Sequence, residues 1–345
     1  MSKSFQKEVT IYDIADRSGL SAATVSRALN DNPAISKKTR RKIADLAKDM
    51  GYQQNKFAKN LRQKSSQTIG VIVHELNSHF ITSVLSGIEK VTAAANYNII
   101  IGHSDEKSNR EATNAFNLFH KRVDGLIASL AYDTKDLSHY EPFVLKGIPI
   151  VFFDRVKKDG FGTKVIIDNE KVGYDATTHL IQQGCKKIMH VTGNLMQNVY
   201  SDRLKGFRNA LSQHDLLFHA EDLIVTDFME QSGIELGKQI LEMKDKPDGI
   251  FVTNDLCAAV CMQTLREAGI SVPDDMAIVG FNDDLVSRIV EPKLTTVRYN
   301  GKEMGEVAAR SLMDQLNHGS VIDTNYTIVL GSELIIRQSS TKMRK

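Results

Sequence analysis

A stretch near the start of the chain, Val9-Thr-Ile-Tyr-Asp-Ile-Ala-Asp-Arg-Ser-Gly-Leu-Ser-Ala-Ala-Thr-Val-Ser-Arg-Ala-Leu-Asn30, predicts two short helices joined by a glycine turn. Thr10 is placed to cap the first helix, and Gly19 is placed to end it. Ser21 can cap the second helix. A third helix is predicted between Ser36 and Gly51, where apolar residues recur at i, i+3, i+4 and i+7. Together the three helices form a helix-turn-helix pattern.

The second predicted helix has two faces of different character. Val25 and Leu29 share one face, which is expected to pack inward. The other face suits a major groove, because Arg27 can donate two bonds to guanine and alanine methyl groups can touch thymine methyls. The predicted groove-facing residues are Ala22, Ala23, Ser26 and Arg27. The hydroxyl and amide groups suited to phosphate contacts belong to Tyr12, Ser21, Thr24 and Asn30.

Charge is distributed unevenly along the 345 residues, although the whole chain carries a net charge of only +2. Residues 1–64 hold 14 Lys and Arg against 6 Asp and Glu, a net charge of +8, which leaves −6 for the remainder. A basic head on an acidic body indicates a polyanionic partner for the head. From helix pattern and charge alone, a small helical bundle with a solvated basic surface remains the alternative.

The quoted stretch closely resembles the head of the lactose-repressor (LacI/GalR) family of bacterial transcription regulators, and the match continues from Ser36 to Tyr52. In that family a hinge helix follows the head, and Asn55-Lys-Phe-Ala-Lys-Asn-Leu-Arg62 is similar to it. The resemblance implies that Leu61 wedges into the minor groove, with Ala58 and Arg62 beside it. A proline common before this motif is replaced by Gln54, which bears on where the helix starts. A plain interdomain linker is the alternative.

The rest of the chain alternates short β-rich runs with helical stretches from Thr68 onward. This alternation predicts parallel sheets in α/β layers. Similar strand starts recur as Asp124-Gly-Leu-Ile-Ala and Asp248-Gly-Ile-Phe-Val, which indicates two similar halves. Ligands usually bind at the carboxyl ends of such strands, so a cleft is expected between the halves.

The body also resembles the family, and through it the periplasmic sugar-binding proteins, in motifs such as Val165-Ile-Ile-Asp-Asn169 and Val279-Gly-Phe-Asn-Asp283. The predicted fold is therefore an N-terminal all-α helix-turn-helix head plus an α/β periplasmic-binding-protein-like body of two Rossmann-like subdomains. The predicted divisions are a head over 1–53, a hinge and linker over 54–67, a first subdomain over 68–167 plus 299–327, and a second over 168–298 plus 328–345.

By motif position, the resemblance places six residues in the effector cleft, and each alone could instead be a surface or capping residue. Phenylalanine can stack on a sugar face, while arginine, aspartate and asparagine can bond hydroxyl groups. Arg155, next to one of the six, adds a cation, which leaves a phosphorylated or acidic sugar open. The predicted effector-binding residues are Phe80, Ile81, Asp154, Arg203, Asn254 and Asn282.

Other classes of protein find little support in the sequence. There is no Gly-x-Gly-x-x-Gly, Walker, His-Glu-x-x-His or Gly-x-Ser-x-Gly motif, so no catalytic residue, cofactor or metal is predicted. Cys185, Cys257 and Cys261 are expected to be reduced packing residues. The polar start of the chain and the absence of a long apolar run favour a cytoplasmic protein without a membrane partner.

These observations predict a homodimeric repressor of carbohydrate-metabolism genes that binds a pseudopalindromic double-stranded DNA operator and responds to a sugar or sugar phosphate. Two alternatives stay within the family: a regulator that needs a corepressor, and one that responds to a purine or nucleoside. An alternative of another class is a cytoplasmic sugar-binding protein whose head does not function. An enzyme acting in the cleft is the last alternative.

Overall fold

The structure is a computed structural model that describes residues 9–52, 65–318 and 325–342. The chain divides into two compact units, Met1–Ser65 and Ser66–Lys345, which we call the head and the body. Among the described residues no helix has the length and apolar character needed to cross a membrane.

The head consists of three helices, α1 (Ile11–Ser18), α2 (Ala22–Leu29) and α3 (Lys37–Asp49). Their ends follow the predicted capping residues. Thr10 and Asp13 form a reciprocal capping box at the start of α1, and Gly19 ends that helix in the left-handed conformation with φ of 68°. The hydroxyl groups of Ser21 and Ser36 accept hydrogen bonds from the first turns of α2 and α3. The predicted helix-turn-helix pattern is confirmed.

The body contains twelve strands and nine further α-helices within its described residues. The strands are β1 (Thr68–Val73), β2 (Asn98–His103), β3 (Gly125–Ala128), β4 (Ile150–Phe153), β5 (Thr163–Ile167), β6 (Ile188–Thr192), β7 (Leu223–Val225), β8 (Gly249–Val252), β9 (Ala277–Val279), β10 (Thr296–Tyr299), β11 (Thr327–Leu330) and β12 (Ser332–Ile335). The helices are α4 (His79–Ala94), α5 (Ser108–His120), α6 (Glu141–Leu145), α7 (Asn169–Gln182), α8 (Asn198–Gln213), α9 (Glu230–Glu242), α10 (Asp255–Glu267), α11 (Leu285–Ile289) and α12 (Gly301–His318).

A six-stranded parallel sheet forms the first lobe, with strand order β11-β5-β4-β3-β1-β2. Its side chains alternate between the two faces, as the pleat of a strand requires. Val71 and Val73 of β1 pack with apolar residues of α4 and α12, whereas Ile72 packs with residues of α5 and α6 on the opposite face. Both faces are thus covered by helices, which explains why these strands are apolar throughout.

A four-stranded parallel sheet forms the second lobe, with strand order β7-β6-β8-β9. Phe251 of β8 packs with α7 and α8, and Ile250 and Val252 pack with α9 and α10. Alternation of strands and helices in both lobes confirms the predicted two Rossmann-like halves. The three cysteines are at most 2% exposed, and none forms a disulfide.

The chain crosses between the lobes after β5, around β10 and after β11. One predicted boundary needs correction here. The predicted first subdomain ends at residue 327, but the whole of β11 pairs with β5, so the first sheet extends to Leu330. The next strand, β12, turns away and pairs with β10 in a separate antiparallel ribbon. The short apolar run at 327–330 gave no sign of which sheet it would join.

Helices α4 and α12 approach each other closely because each presents a glycine to the other. A β-carbon added at Gly87 would lie 2.1 Å from the carbonyl oxygen of Lys302, and one added at Gly305 would lie 2.0 Å from that of Val84. Neither backbone oxygen can move without shifting its helix. This contact fixes the layer of helices against the first sheet.

We expect Gly87→Ala to lower the free energy of unfolding of the body by about 1–3 kcal/mol, because the added methyl group forces the two helices apart. Chemical unfolding followed by circular dichroism measures the change. Gly331→Ala is the matched control, since a β-carbon there would meet nothing within 4 Å. Equal stability of the two variants would contradict the account of this helix contact.

The fully buried imidazole of His190 gives the second lobe an acid-sensitive point. Neither of its nitrogens has a hydrogen-bond partner among the described residues, and its ring stacks on Phe207 at a centroid distance of 4.9 Å. Burial, together with the nearby charge of Arg203, lowers the pKa of His190 from 6.5 to about 3. Below pH 6.5 the imidazole of His190 is therefore protonated in the unfolded chain but stays neutral in the folded chain. As a result, the free energy of unfolding falls as the pH drops towards 3.

Leucine has a similar volume and takes no proton, so His190→Leu should remove this contribution. The measured quantity is the unfolding free energy of the variant minus that of the parent chain. We expect this difference to be about 2 kcal/mol larger at pH 5 than at pH 7.5. Denaturant midpoints at the two pH values provide the measurement. If the variant and the parent differ by the same amount at both pH values, the protonation argument is wrong.

Candidate DNA-binding face and ligand cleft

Most of the predicted DNA-contacting side chains lie on the surface of the head. The aromatic ring of Tyr12 is the clearest, with 73% of the residue exposed. Ala23 and Arg27 are exposed on α2, and Ala22 is half-buried beside them. The exposed tyrosine hydroxyl can bond a phosphate oxygen, so Tyr12 suits contact with a duplex.

The guanidinium group of Arg27 is well placed for base reading. Its Nε donates to the carbonyl oxygen of Ala23 at 3.3 Å, which orients the side chain along α2. Its two terminal nitrogens make no hydrogen bond to any residue that the structure describes, so the fork needed for guanine is available. Ser21 and Thr24 bond each other through their hydroxyl oxygens at 2.9 Å, and the Asn30 amide donates to the Ser26 carbonyl.

One residue of the predicted groove-facing set lies elsewhere. Ser26 is buried, with 6% exposure, and Ala28 rather than Leu29 is the second fully buried partner of Val25. The short helix α2 packs on both of its neighbours, α1 and α3, which covers a wider face than a two-residue stripe predicts. Ser26 is therefore corrected from a base-contacting residue to a packing residue. The predicted hinge residues Ala58, Leu61 and Arg62 lie outside the described residues.

The cleft of the body lies where the carboxyl ends of the parallel strands of the two lobes meet. The loops after β1 to β4 approach the loops after β6 and β7, and side chains bond across the gap. The Tyr132 hydroxyl donates to the Thr226 carbonyl at 3.0 Å and accepts from the Asn194 amide at 2.7 Å. Gln197 donates to the Ala131 carbonyl at 2.7 Å. This is the position that ligands take in open parallel α/β folds.

Asp154 and Arg203 are the two predicted residues that face the cleft with free polar ends. Their residues are 6% and 3% exposed. The Arg203 Nε donates to the Asn169 amide oxygen at 2.9 Å, and its guanidinium carbon lies 3.5 Å from the centre of the Phe281 ring. Neither the terminal nitrogens of Arg203 nor the carboxylate of Asp154 has a hydrogen-bond partner within residues 9–52, 65–318 and 325–342.

The charges of Arg203 and Asp154 also favour a ligand that bonds both residues. Burial lowers the pKa of Arg203, while the negative charge of Asp154 opposes that shift. The guanidinium needs an acceptor and the carboxylate needs a donor, and the free polar ends of both reach the cleft rather than the closed interior. Hydroxyl groups satisfy both requirements, because one hydroxyl can accept from the guanidinium and donate to the carboxylate.

Two more predicted residues, Phe80 and Asn282, line a cavity of about 640 Å³. Tyr299 separates this cavity from Arg203: its ring lies 4.6 Å from that of Phe80 and 5.4 Å from that of Phe281. The Tyr299 hydroxyl and the Asn282 amide oxygen are 3.4 Å apart. The aromatic rings therefore connect the cavity to the polar centre of the cleft.

One effector-binding prediction, Ile81, needs correction, and a second, Asn254, also has a structural role. Ile81 is fully buried in the apolar core of the first lobe, because the first turn of α4 rotates it away from the cleft. Asn254 caps α10, and its amide oxygen accepts from the Cys257 backbone at 3.0 Å. Its oxygen is thus committed to the helix, as the capping alternative anticipated.

Several cleft residues were missed or given little weight in the sequence. They follow strand ends, which is the signal that could have found them. Glu106 follows β2, Tyr132 follows β3, and Gln197 and Tyr200 follow β6. The Gln197 amide oxygen is buried without a partner among the described residues, as is the Thr192 hydroxyl at the end of β6. Both are further groups that a ligand hydroxyl could satisfy.

Comparison with known proteins gives the same two-part division. Residues 10–55 match the bacterial regulatory proteins of the lacI family, and residues 177–340 match the periplasmic binding protein-like domain. Catabolite control protein A of Priestia megaterium is 33% identical over 314 residues, which are 91% of this chain and 94% of that protein. Regulator RegA of Clostridium saccharobutylicum is 34% identical, covering 96% of this chain and 99% of that protein.

A solved structure shares the fold over nearly the whole chain. The lac repressor dimer bound to operator and the anti-inducer ONPF is 26% identical, with a TM-score of 0.84, and covers 98% of this chain and 100% of that one. A helix-turn-helix head and a two-lobed body with the periplasmic binding protein-like fold, in a chain whose relatives are transcription regulators, define a DNA-binding transcription regulator. The chain belongs to the LacI family of bacterial transcription regulators.

If Arg27 reads a base, Arg27→Ala should lose about 1–3 kcal/mol of discrimination between the preferred site and a site altered at one base pair. Binding to both sites by fluorescence anisotropy measures this difference. Lys42→Ala on α3 removes an equal charge from an exposed position and should weaken both sites alike. An unchanged preference in Arg27→Ala would demote Arg27 to a phosphate contact.

Proposed function

We propose that this regulator represses transcription as a homodimer on a pseudopalindromic operator, and that a sugar-like effector in the body cleft controls it. The observation that carries the effector proposal is that Asp154 and Arg203, two largely buried residues, have polar ends that reach the cleft and bond no described residue. Aromatic rings of Phe281 and Tyr299 lie beside them, as the apolar face of a sugar requires. The lac repressor, a relative of the same fold, binds operator and an anti-inducer.

Exposed apolar side chains support the homodimer. Leu285 and Ile289 stand one helical turn apart on α11, at 58% and 71% exposure, and Leu256 lies on α10, which packs against α11. Such side chains on neighbouring elements favour burial against a second copy. A two-fold dimer imposes its symmetry on the operator, so two heads would read two half-sites.

The charges of the cleft favour an uncharged effector over a sugar phosphate. Arg155, which suggested an acidic ligand, already binds the Glu106 carboxylate at 2.7 Å. The other cation, Arg203, lies within the influence of the negative charge of Asp154. A phosphate group bound to Arg203 would lie close to the like charge of Asp154, which opposes its binding.

The mechanism we propose is reciprocal coupling between the cleft and the heads. An effector that changes the alignment of the two lobes changes operator affinity by some factor, and operator must then change effector affinity by the same factor. Screening by thermal shift with neutral sugars, nucleosides and sugar phosphates identifies the effector. Its affinity is then measured by calorimetry with and without operator DNA.

We expect the two effector affinities to differ by about 5- to 150-fold. Equal affinities would contradict the allosteric mechanism, and tighter effector binding on operator would identify corepression. An absence of salt-dependent DNA binding would favour a sugar-binding protein whose head does not function. Chemical conversion of the bound sugar, followed by mass spectrometry, would reveal an enzyme.

Asp154→Asn tests the site itself. Asparagine tolerates the positive φ of 57° at this position and keeps the shape, but it weakens the acceptor for ligand hydroxyl groups. We expect effector affinity to fall by about 10- to 100-fold while operator affinity without effector stays within about threefold. Asp159→Asn, an exposed carboxylate on the loop that follows β4, is the control and should change neither affinity.

A further inference from the structure

The guanidinium group of Arg155 lies between the two lobes, directly after Asp154 at the end of β4. It is 4% exposed, and its Nη1 donates to both carboxylate oxygens of Glu106, at 2.9 and 2.7 Å. The rings of Tyr132 and Tyr200 stand 5.4 and 5.5 Å from its central carbon. The cation is thus enclosed by one carboxylate and two aromatic faces.

The partners of Arg155 come from both lobes. Glu106 and Tyr132 belong to the first lobe, as Arg155 does, but Tyr200 is on α8 of the second lobe and its hydroxyl accepts from Nη2 at 3.1 Å. Moving the lobes apart would remove this bond and one of the two rings, and would leave a cation facing water on one side only. Removal of a partner from a buried charge is among the costlier changes a protein can undergo.

Backbone bonds on either side of Arg155 tie the same segment to the second lobe. The Val156 amide donates to the Asn198 side-chain oxygen at 2.8 Å, and the Asn198 amide donates to the Asp154 carbonyl at 3.1 Å. The segment 154–156 therefore has a contact with α8 at each of its three residues. Asp154, which we propose binds effector, belongs to that segment, so an effector there acts on the same backbone as the contact between lobes.

We propose that Arg155 is a positioning residue: held by Glu106, it fastens the first lobe to the second through Tyr200 and sets the balance between closed and open clefts. Glu106 neutralises the cation, so Arg155 can be buried without an anionic ligand. The regulatory meaning of this balance rests on the proposed function, but the balance itself is a property of the body and needs neither DNA nor effector to be measured.

The test places a spin label on each lobe of the full chain and measures the distance between them by pulsed electron resonance. Lys135→Cys and Met196→Cys flank the contact between Tyr132 and Asn194 and are exposed, while the three native cysteines are buried and will not label readily. The parent chain should give one dominant short distance. In Arg155→Met a second, longer distance should appear, with the ratio of open to closed molecules raised by about tenfold or more.

Two further variants keep the result decisive. Tyr200→Phe removes only the hydroxyl group and keeps the ring, so the fold should be retained and the open-to-closed ratio should rise by about three- to tenfold. Lys158→Met is the matched control. Its ion pair with Asp202 also spans the lobes, at 2.6 Å, but the lysine side chain is 63% exposed, so its loss should leave the distances unchanged.

A distance distribution in Arg155→Met identical to that of the parent chain would overturn the proposal. If Arg155→Met loses its native circular dichroism, an unchanged distribution in Tyr200→Phe would overturn it instead. Opening of Lys158→Met to the same extent would also contradict it, since any contact between lobes would then serve equally. Because no DNA or sugar is present, these outcomes are independent of whether the head binds an operator.

Discussion

Burying the guanidinium group of Arg155 between two lobes requires partners from both of them, and much of the cleft follows from that requirement. Glu106 supplies the charge, Tyr132 and Tyr200 supply the aromatic faces, and the loops that bear them are held at the carboxyl ends of their sheets. Asp154 and Arg203 lie near this contact, and their polar ends bond no described residue. The parallel sheets provide the position, and the buried charges determine which chemistry it accepts.

The head depends on a small apolar core and a basic surface rather than on buried charges. Its small core, centred on Ile14, Val25 and Ile43, only has to hold three capped helices together. Its outward face carries the exposed ring of Tyr12 and the free fork of Arg27, while the net charge of +8 over residues 1–64 draws it to a polyanion. Phosphate attraction gives affinity without sequence preference, whereas the few side chains on α2 must provide discrimination. The division of the chain into a head and a body thus coincides with a division of charge.

Local signals were sufficient to predict most of the fold. Thr10, Gly19 and Ser21 mark helix ends by their own hydrogen bonds and dihedral angles. The strands of both sheets could be predicted from the sequence because helices cover both faces and the strands are therefore apolar throughout. Contacts between segments distant in sequence could not be predicted. The pairing of β11 with β5 depends on which sheet has a free edge, and the burial of Ser26 depends on how closely α2 packs on its neighbours. In the cleft, Asp154 and Arg203 were predicted through the family, but Ile81 was misplaced because helix rotation is set by the core. The bond of Glu106 to Arg155, 49 residues apart, has no signature in either segment.

The central claim is that this chain reads a specific DNA sequence, and selection from genomic DNA tests it most directly. The full-length protein would be incubated with fragmented DNA of its source at near-physiological salt, and the retained fragments would be sequenced. The account predicts enrichment of a pseudopalindrome, and the genes beside it would nominate effectors for the cleft. Retention of fragments with no common sequence, both with and without cell extract to supply a corepressor, would contradict it.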